Sequence, residues 1–541
     1  MRKFALVNGK IYVERGRFAQ ALYAEDGVIR LVGRDDEIRS AAGRGAEVFD
    51  CEGRTVIPGL NDSHMHLLGV GMEMSQLRLN GARSVGEIVA RGQRFLAGHP
   101  ELCRHGVAGI GWNQDLFDEG EKRLPDRHDL DRISTDVPVI VERVCRHIAA
   151  VNTKAIEMLG LGRNSPQYEN GEFELEADGF PSGVFKEQAV ARANRLIPPK
   201  SAAEYEDMFV KAADYAVAHG LTSVQSNDAG FVPVPAGALM EIVDRAHAGG
   251  RTALRYRHQM TFRGVGEFQE FLRGGAREKY HAPAAHVEIG PLKLFKDGSL
   301  GGRSAKMSRD YRDDPGNRGV ETLSNEEMDL FCRAARDAGV QIITHAIGDR
   351  AIADTVACYE RIMPIGENPL RHIVNHCQIT DRPLLERIAA DGLCVAYQPI
   401  FLDYDMHIAE SRCGAELAST SYAFGTAAAL GIPVGYGTDA PVEDCNPFPC
   451  IGAAVTRTDR LGRPEGGWFP REKVDVETAI DAYTTGSAYL EFHERDKGRL
   501  KPGFVADLAV LDRDIFDCPI AQIREILPVA TVIGGEIVYR R

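Results

Sequence analysis

From residue 201 to residue 439 one unit recurs along the chain: an amphipathic helix, a glycine, then a short apolar strand. Segment 203–219 keeps helical spacing up to Gly220 and is followed by an apolar run at 221–224. Segment 237–248 leads through Gly249 and Gly250 into 252–256, and 326–338 leads through Gly339 into 340–345. Segment 382–391 leads through Gly392 into 393–397, and 427–430 through Gly431 into 432–436. Glycine just beyond a helix takes the left-handed turn that feeds the next strand. Helices alternating with apolar strands predict βα units and a parallel sheet. Strands before His64, at 287–296 and at 372–375 raise the total to eight, the number that closes a (β/α)8 TIM barrel. An open doubly wound sheet is the rival, but no Gly-x-Gly-x-x-Gly follows an early strand.

Two regions break the pattern. Residues 1–57 read as short strands with turns at Asn8-Gly9, Arg15-Gly16 and Asp26-Gly27, and residues 501–541 carry similar strands at 507–511 and 530–535. Chain ends often lie close together, so 1–57 and 501–541 are expected to form one β-sandwich domain. The barrel then takes residues 58–71 and 200–500. Residues 72–199 are too many for a plain loop and are expected to form an inserted subdomain at the barrel mouth.

Charge narrows the partners. A formal net charge of −14 disfavours nucleic acid or an anionic membrane as the main partner and leaves a small-molecule substrate. Eleven cysteines without a Cys-x-x-Cys pair suit reduced thiols. The first apolar run is too short for a signal peptide, and no stretch has transmembrane length, so the expected compartment is the cytoplasm. A homodimer is the expected assembly.

Chemistry concentrates at the ends of the predicted strands, where a barrel of this kind carries its active site. Pro58-Gly59-Leu60-Asn61-Asp62-Ser63-His64-Met65-His66 closes the first strand with His-x-His, and residues i and i+2 of a strand share a face. His345, His376 and Asp439 end three later strands. Each has an ordinary alternative: a lone strand-end histidine commonly bonds backbone, and Asp439 before Ala440-Pro441 suits a turn. Their coincidence at matched strand ends points instead to a cation held by imidazole and carboxylate.

The strand at 287–296 adds two lysines inside an apolar run, Lys293 and Lys296. A strand lysine can snorkel to solvent. Beside a cation, like charge and desolvation would both favour the neutral amine, which can add carbon dioxide to become an anionic carbamate. Strand alternation sets the two lysines on opposite faces; Lys293 is favoured, with Lys296 as the fallback.

In combination these stretches resemble the amidohydrolase superfamily, in the branch of YtcJ-like proteins and N-substituted formamide deformylases. The resemblance rests on the His-x-His segment and on Lys293-Leu294-Phe295-Lys296-Asp297-Gly298-Ser299-Leu300-Gly301. Further matches are Thr344-His345-Ala346-Ile347-Gly348-Asp349-Arg350-Ala351, Asn375-His376-Cys377-Gln378 and Gly437-Thr438-Asp439-Ala440-Pro441-Val442. The stretch Gly498-Arg499-Leu500-Lys501-Pro502-Gly503-Phe504-Val505-Ala506-Asp507-Leu508-Ala509-Val510 adds a similarity to the family's return to its β-domain. The likeness implies metal ligands at His64, His66, Lys293, His345, His376 and Asp439, with one or two divalent ions and zinc the expected metal. Its Lys-x-x-x-Asp-Gly pattern supports Lys293 over Lys296. The family often reads Asp-Gly-His where this chain has Cys145-Arg146-His147.

The implied activity is hydrolysis of a C–N bond, of amide or formamide type, in a small molecule. Asp439 is expected to shuttle the proton, with His345 or His376 polarising the carbonyl. Trp112, Glu187, Arg303 and His147 are the expected substrate contacts: an aromatic wall, two polar groups of the insertion, and a guanidinium for a carboxylate. A deaminase, an esterase or lactonase, and a non-catalytic binding protein on the same fold are the alternatives.

Overall fold

The computed structural model describes residues 2–118, 122–143, 145, 147–198, 200–275 and 286–541. Contacts divide the chain into two units, Met1–Val70 with Phe209–Arg541, and Gly71–Met208.

The larger unit is built on an eight-stranded parallel sheet. Its strands are β1 (Leu60–Met65), β2 (Leu221–Ser226), β3 (Arg255–Met260), β4 (Val287–Phe295), β5 (Ile342–Ala346), β6 (Ile373–His376), β7 (Cys394–Tyr397) and β8 (Val434–Tyr436). They pair in sequence order from β1 to β8. Just past the strand ends, Asp439 N donates to His64 O at 2.9 Å and His66 N to Ala440 O at 2.7 Å, so the last strand meets the first and the barrel closes. Asp62 clamps the same seam, its Oδ2 accepting from Thr438 N at 3.0 Å and from Thr438 Oγ1 at 2.6 Å. Gly437 is required there, because a Cβ would stand 2.6 Å from Asp62 Oδ1 and 2.7 Å from His64 N.

The glycine punctuation is observed. Gly220, Gly250, Gly339, Gly392 and Gly431 all adopt left-handed φ, between 61° and 83°, at the helix-to-strand turns. One strand lies later than its expected position: β3 is Arg255–Met260, not 252–256. Its sequence, Arg-Tyr-Arg-His-Gln-Met, is polar yet buried throughout. Arg255 gains Asp507 as a partner at 2.7 Å, which offsets the cost of burying its charge.

At the opposite end of the strands lies a second polar cluster. His493 Nε2 meets Glu288 Oε1 at 2.8 Å, His493 Nδ1 meets Asp496 Oδ1 at 3.0 Å, and Lys497 pairs with Glu491.

Both chain ends supply a β-sandwich in the same unit. One sheet runs Val28–Gly33, Ala21–Glu25, Lys3–Val7, Glu47–Asp50. The other runs Glu536–Arg540, Pro528–Ile533, Leu508–Leu511, Thr55–Pro58, Lys10–Glu14, Arg17–Ala19. The join is an antiparallel pairing of Leu508 with Pro58 and Val510 with Val56. Phe4, Leu6, Leu22, Ile29, Val56, Leu508, Val510 and Val532 fill the space between the sheets.

The second unit has its own six-stranded mixed sheet, in the order Gly171–Leu175, Pro181–Glu187, Ile148–Val151, Val139–Arg143, Val107–Trp112, Leu77–Arg78. Helix Val85–Gly98 starts at Ser84, whose side chain accepts from Glu87 N, and buries Ile88 and Val89 in the core with Trp112 and Leu130.

Candidate metal centre

His64 and His66 stand at the C-terminal end of β1, both buried. The Nδ1 of His64 lies 2.6 Å from Gln259 Oε1, and Gln259 orients its amide by donating from Nε2 to Ser63 O at 3.0 Å. The Nδ1 of His66 lies 2.5 Å from Asn227 O. A carbonyl oxygen only accepts, so each imidazole carries its proton on Nδ1 and its lone pair on Nε2.

Asp439 completes the arrangement. Its Oδ1 is 3.3 Å from His64 Nε2 and 3.2 Å from His66 Nε2. Among the described residues this oxygen has no hydrogen-bond partner, although it is buried. Three lone pairs therefore face one point with no proton between them. Ligands about 2.0–2.1 Å from a tetrahedral zinc are about 3.3 Å apart, so the donor set fits such an ion. Among the described residues, these three alone bring such ligand atoms within 4.8 Å of one another.

Two more imidazoles adjoin this triad. His345, on β5, donates from Nε2 to Gly298 O at 3.1 Å, which leaves its lone pair on Nδ1. His376, ending β6, places Nδ1 2.6 Å from Gln398 Oε1, while its Nε2 accepts from Asn375 Nδ2 at 2.8 Å. Ring centroids are 4.5 Å apart for His345 and His376 and 5.5 Å for His376 and His64. Burial, then the Lys293 charge, depresses His64 to about 4 and His345 to about 3, so both rings are neutral near neutral pH. The backbone is strained where these donors sit: φ is 71° at His376, 47° at Cys377 and 57° at Asp439.

Lys293 on β4 and Lys296 just past its end separate cleanly. Lys293 is fully buried, with Nζ 3.3 Å from His64 Nε2. Burial pulls it down to about 7, against the pull of Asp439. Lys296 faces away: its Nζ donates to Glu321 Oε1 at 2.7 Å, Leu323 O at 2.6 Å and Asn325 Oδ1 at 2.7 Å. Its three donors are spent, so the fallback assignment to Lys296 is set aside.

Two of the expected substrate contacts, Trp112 and Arg303, need correction. Trp112 is a core residue of the second unit, 0% exposed, with its indole N–H donating to Val141 O at 2.9 Å; it is not a pocket wall. Arg303 is committed to Asp313 through two hydrogen bonds of 3.2 and 3.1 Å, so its guanidinium serves a structural acid. His147 and Glu187, both exposed in the second unit, bind each other at 3.1 Å, which raises the imidazole above its ordinary value.

Sequence reasoning missed Gln259, Gln398, Asn227 and Asp62. A signal existed for Asp62, which precedes His64 by two and therefore shares its face. Gln259 was hidden by the misplaced third strand.

A closed parallel barrel with histidines ending its first strand and an aspartate just past its last defines a fold shared with metal-dependent hydrolases. A solved structure of an uncharacterized metal-dependent hydrolase from Pyrococcus horikoshii matches 96% of this chain and 99% of its own, with a TM-score of 0.74 and 27% identity. The chain belongs to the amidohydrolase family, whose profile matches residues 47–539. It is 32% identical over 539 residues to the putative amidohydrolase YtcJ of Bacillus subtilis, covering 98% of each chain. It is also 25% identical to the N-substituted formamide deformylase of Arthrobacter pascens, covering 100% of this chain and 99% of that one.

Proposed function

We propose that this protein hydrolyses a C–N bond, of amide or formamide type, in a small molecule, using a divalent ion (zinc by its donor chemistry) held by His64, His66 and Asp439. The observation that carries the reading is the buried Asp439 Oδ1, without a hydrogen bond among the described residues and level with two imidazole lone pairs. A bound divalent cation supplies Lewis acidity toward a carbonyl and makes water nucleophilic near neutral pH.

The residues divide the remaining work. Asp439, kept ionised, takes the proton of the attacking water and delivers it to the leaving nitrogen. His345 and His376, with Lys293, complete the donor set for a second ion. Lys293 is held low enough for neutral amine to be present near neutral pH. Addition of carbon dioxide to that amine, with loss of a proton, gives a carbamate whose negative charge offsets part of the metal charge.

Similarity to a protein named N-substituted formamide deformylase supports the choice of C–N bond. The test is elemental analysis of the purified protein, then a panel of formamides, N-acyl amines and esters with and without chelator. Chelator-sensitive amide cleavage is expected. Ester cleavage with inert amides would overturn the bond assignment, and a metal-free inert protein would overturn the whole reading.

A further inference from the structure

We infer that Gln259 and Gln398 are positioning residues that set the tautomers of His64 and His376 and thereby the affinity of the site for the one or two cations it would hold. The inference rests on the metal reading above but concerns side chains that would not touch the ion.

Both glutamines do the same thing at different places in the barrel. Gln259, on β3, accepts from His64 Nδ1 at 2.6 Å and donates from Nε2 to Ser63 O at 3.0 Å. Gln398, directly after β7, accepts from His376 Nδ1 at 2.6 Å, and its Nε2 lies 3.3 Å from Ala396 O and 3.4 Å from Asn375 Oδ1. Both side chains are buried, 0% and 3% exposed. Each amide is fixed at its nitrogen end by a carbonyl oxygen, so its own oxygen must face the imidazole. The imidazole must then protonate Nδ1 and keep Nε2 as an acceptor, which faces Asp439 Oδ1 at His64 and is met by Asn375 Nδ2 at His376.

The residue type matters. Glutamate could hold the same Nδ1–H, but its second oxygen would stand against the Ser63 carbonyl with no proton to share. A neutral amide satisfies both neighbours at once. It also leaves the imidazole a weaker donor than a carboxylate behind it would, since a carboxylate raises ligand basicity. His66 follows the same rule through the Asn227 carbonyl. All three of these histidines are thus backed by neutral amide oxygens.

The experiment compares Gln259→Met and Gln398→Met with the wild type and with Gln225→Met. Gln225 is an equally buried glutamine on β2 whose amide donates to Ser487 O at 3.1 Å rather than to an imidazole. Zinc affinity is read by chelator competition, and histidine tautomers by nitrogen-15 shifts of histidine-labelled protein. Loss of such a partner typically costs about 10–100-fold in metal affinity. That loss is expected for Gln259→Met and Gln398→Met, with mixed tautomers at the affected ring, and wild-type affinity for Gln225→Met. Unchanged affinity and tautomers in both site variants, or an equal loss in the control, would overturn the inference. Should Gln259→Met fail to fold, Gln398→Met carries the same test alone. A wild type that binds no zinc would overturn the metal reading itself, which separates the two failures.

Discussion

Asp439 and His64 meet twice. The Asp439 main-chain N–H donates to the His64 carbonyl at 2.9 Å, and the Asp439 Oδ1 stands 3.3 Å from the His64 Nε2. The first contact joins the last strand to the first, and the second aims two lone pairs at one point. Closure of the barrel and assembly of the donor set are therefore one geometric event.

Asp439→Asn keeps the main-chain contact and removes the charge. Zinc affinity should fall at least about tenfold, because one anionic ligand is lost. Turnover should fall by roughly 10²–10⁴, the usual value of a positioned proton acceptor. Metal titration and kcat measurements check this; an Asn variant with wild-type turnover would remove Asp439 from the chemistry.

Chelation should destabilise the larger unit. A ligand present at a hundredfold excess over its Kd stabilises the native state by about 2.7 kcal/mol. Thermal unfolding should drop by several degrees on chelator treatment and recover when zinc is restored. A Tm indifferent to chelator would contradict a high-affinity site.

Lys293 and Lys296 should give opposite phenotypes. Lys293→Ala should lower metal content and bring the Tm no lower than that of the chelated wild type. Lys296→Met should leave metal content alone and destabilise by about 1–3 kcal/mol, since it leaves Asn325 Oδ1 and the Leu323 carbonyl without their donor, while Glu321 keeps Lys306. Elemental analysis and denaturant unfolding of the two variants decide it.

His493 predicts a pH dependence of stability at the opposite end of the strands from the His64, His66 and Asp439 triad. Burial alone would depress it, yet the Asp496 and Glu288 carboxylates raise it to about 9, from an ordinary 6.5. A raised folded value means the stabilisation is complete below pH 6.5 and is lost as pH rises through about 9. His493→Gln should therefore cost on the order of 2 kcal/mol at pH 6, with the gap closing by pH 10. Paired unfolding curves at the two pH values test the sign.

The barrel was legible because its grammar is local. Helix periodicity, a left-handed glycine and an apolar run each follow from a few neighbouring residues, as at Gly339 before β5. Where a strand is polar the grammar fails: Arg255, Arg257 and Gln259 are buried on β3 only because Asp507, the Glu491 carbonyl and His64 receive them from distant parts of the chain. The triad of His64, His66 and Asp439 could be read from strand-end positions. Its supports could not, since Gln259 and Gln398 carry no local mark of the imidazoles they hold. Trp112 misled for a related reason: an indole beside polar residues looks the same in sequence whether it faces a cleft or a core.

The left-handed backbone at His376 and Asp439 has a further consequence. Glycine would occupy either place with less strain, and asparagine is a common tenant of such turns. Holding a histidine or an aspartate there uses up folding free energy that only a task for the side chain would repay. A descendant of this chain released from that task should change first at these two corners, drifting toward glycine or asparagine while the rest of the barrel stays intact.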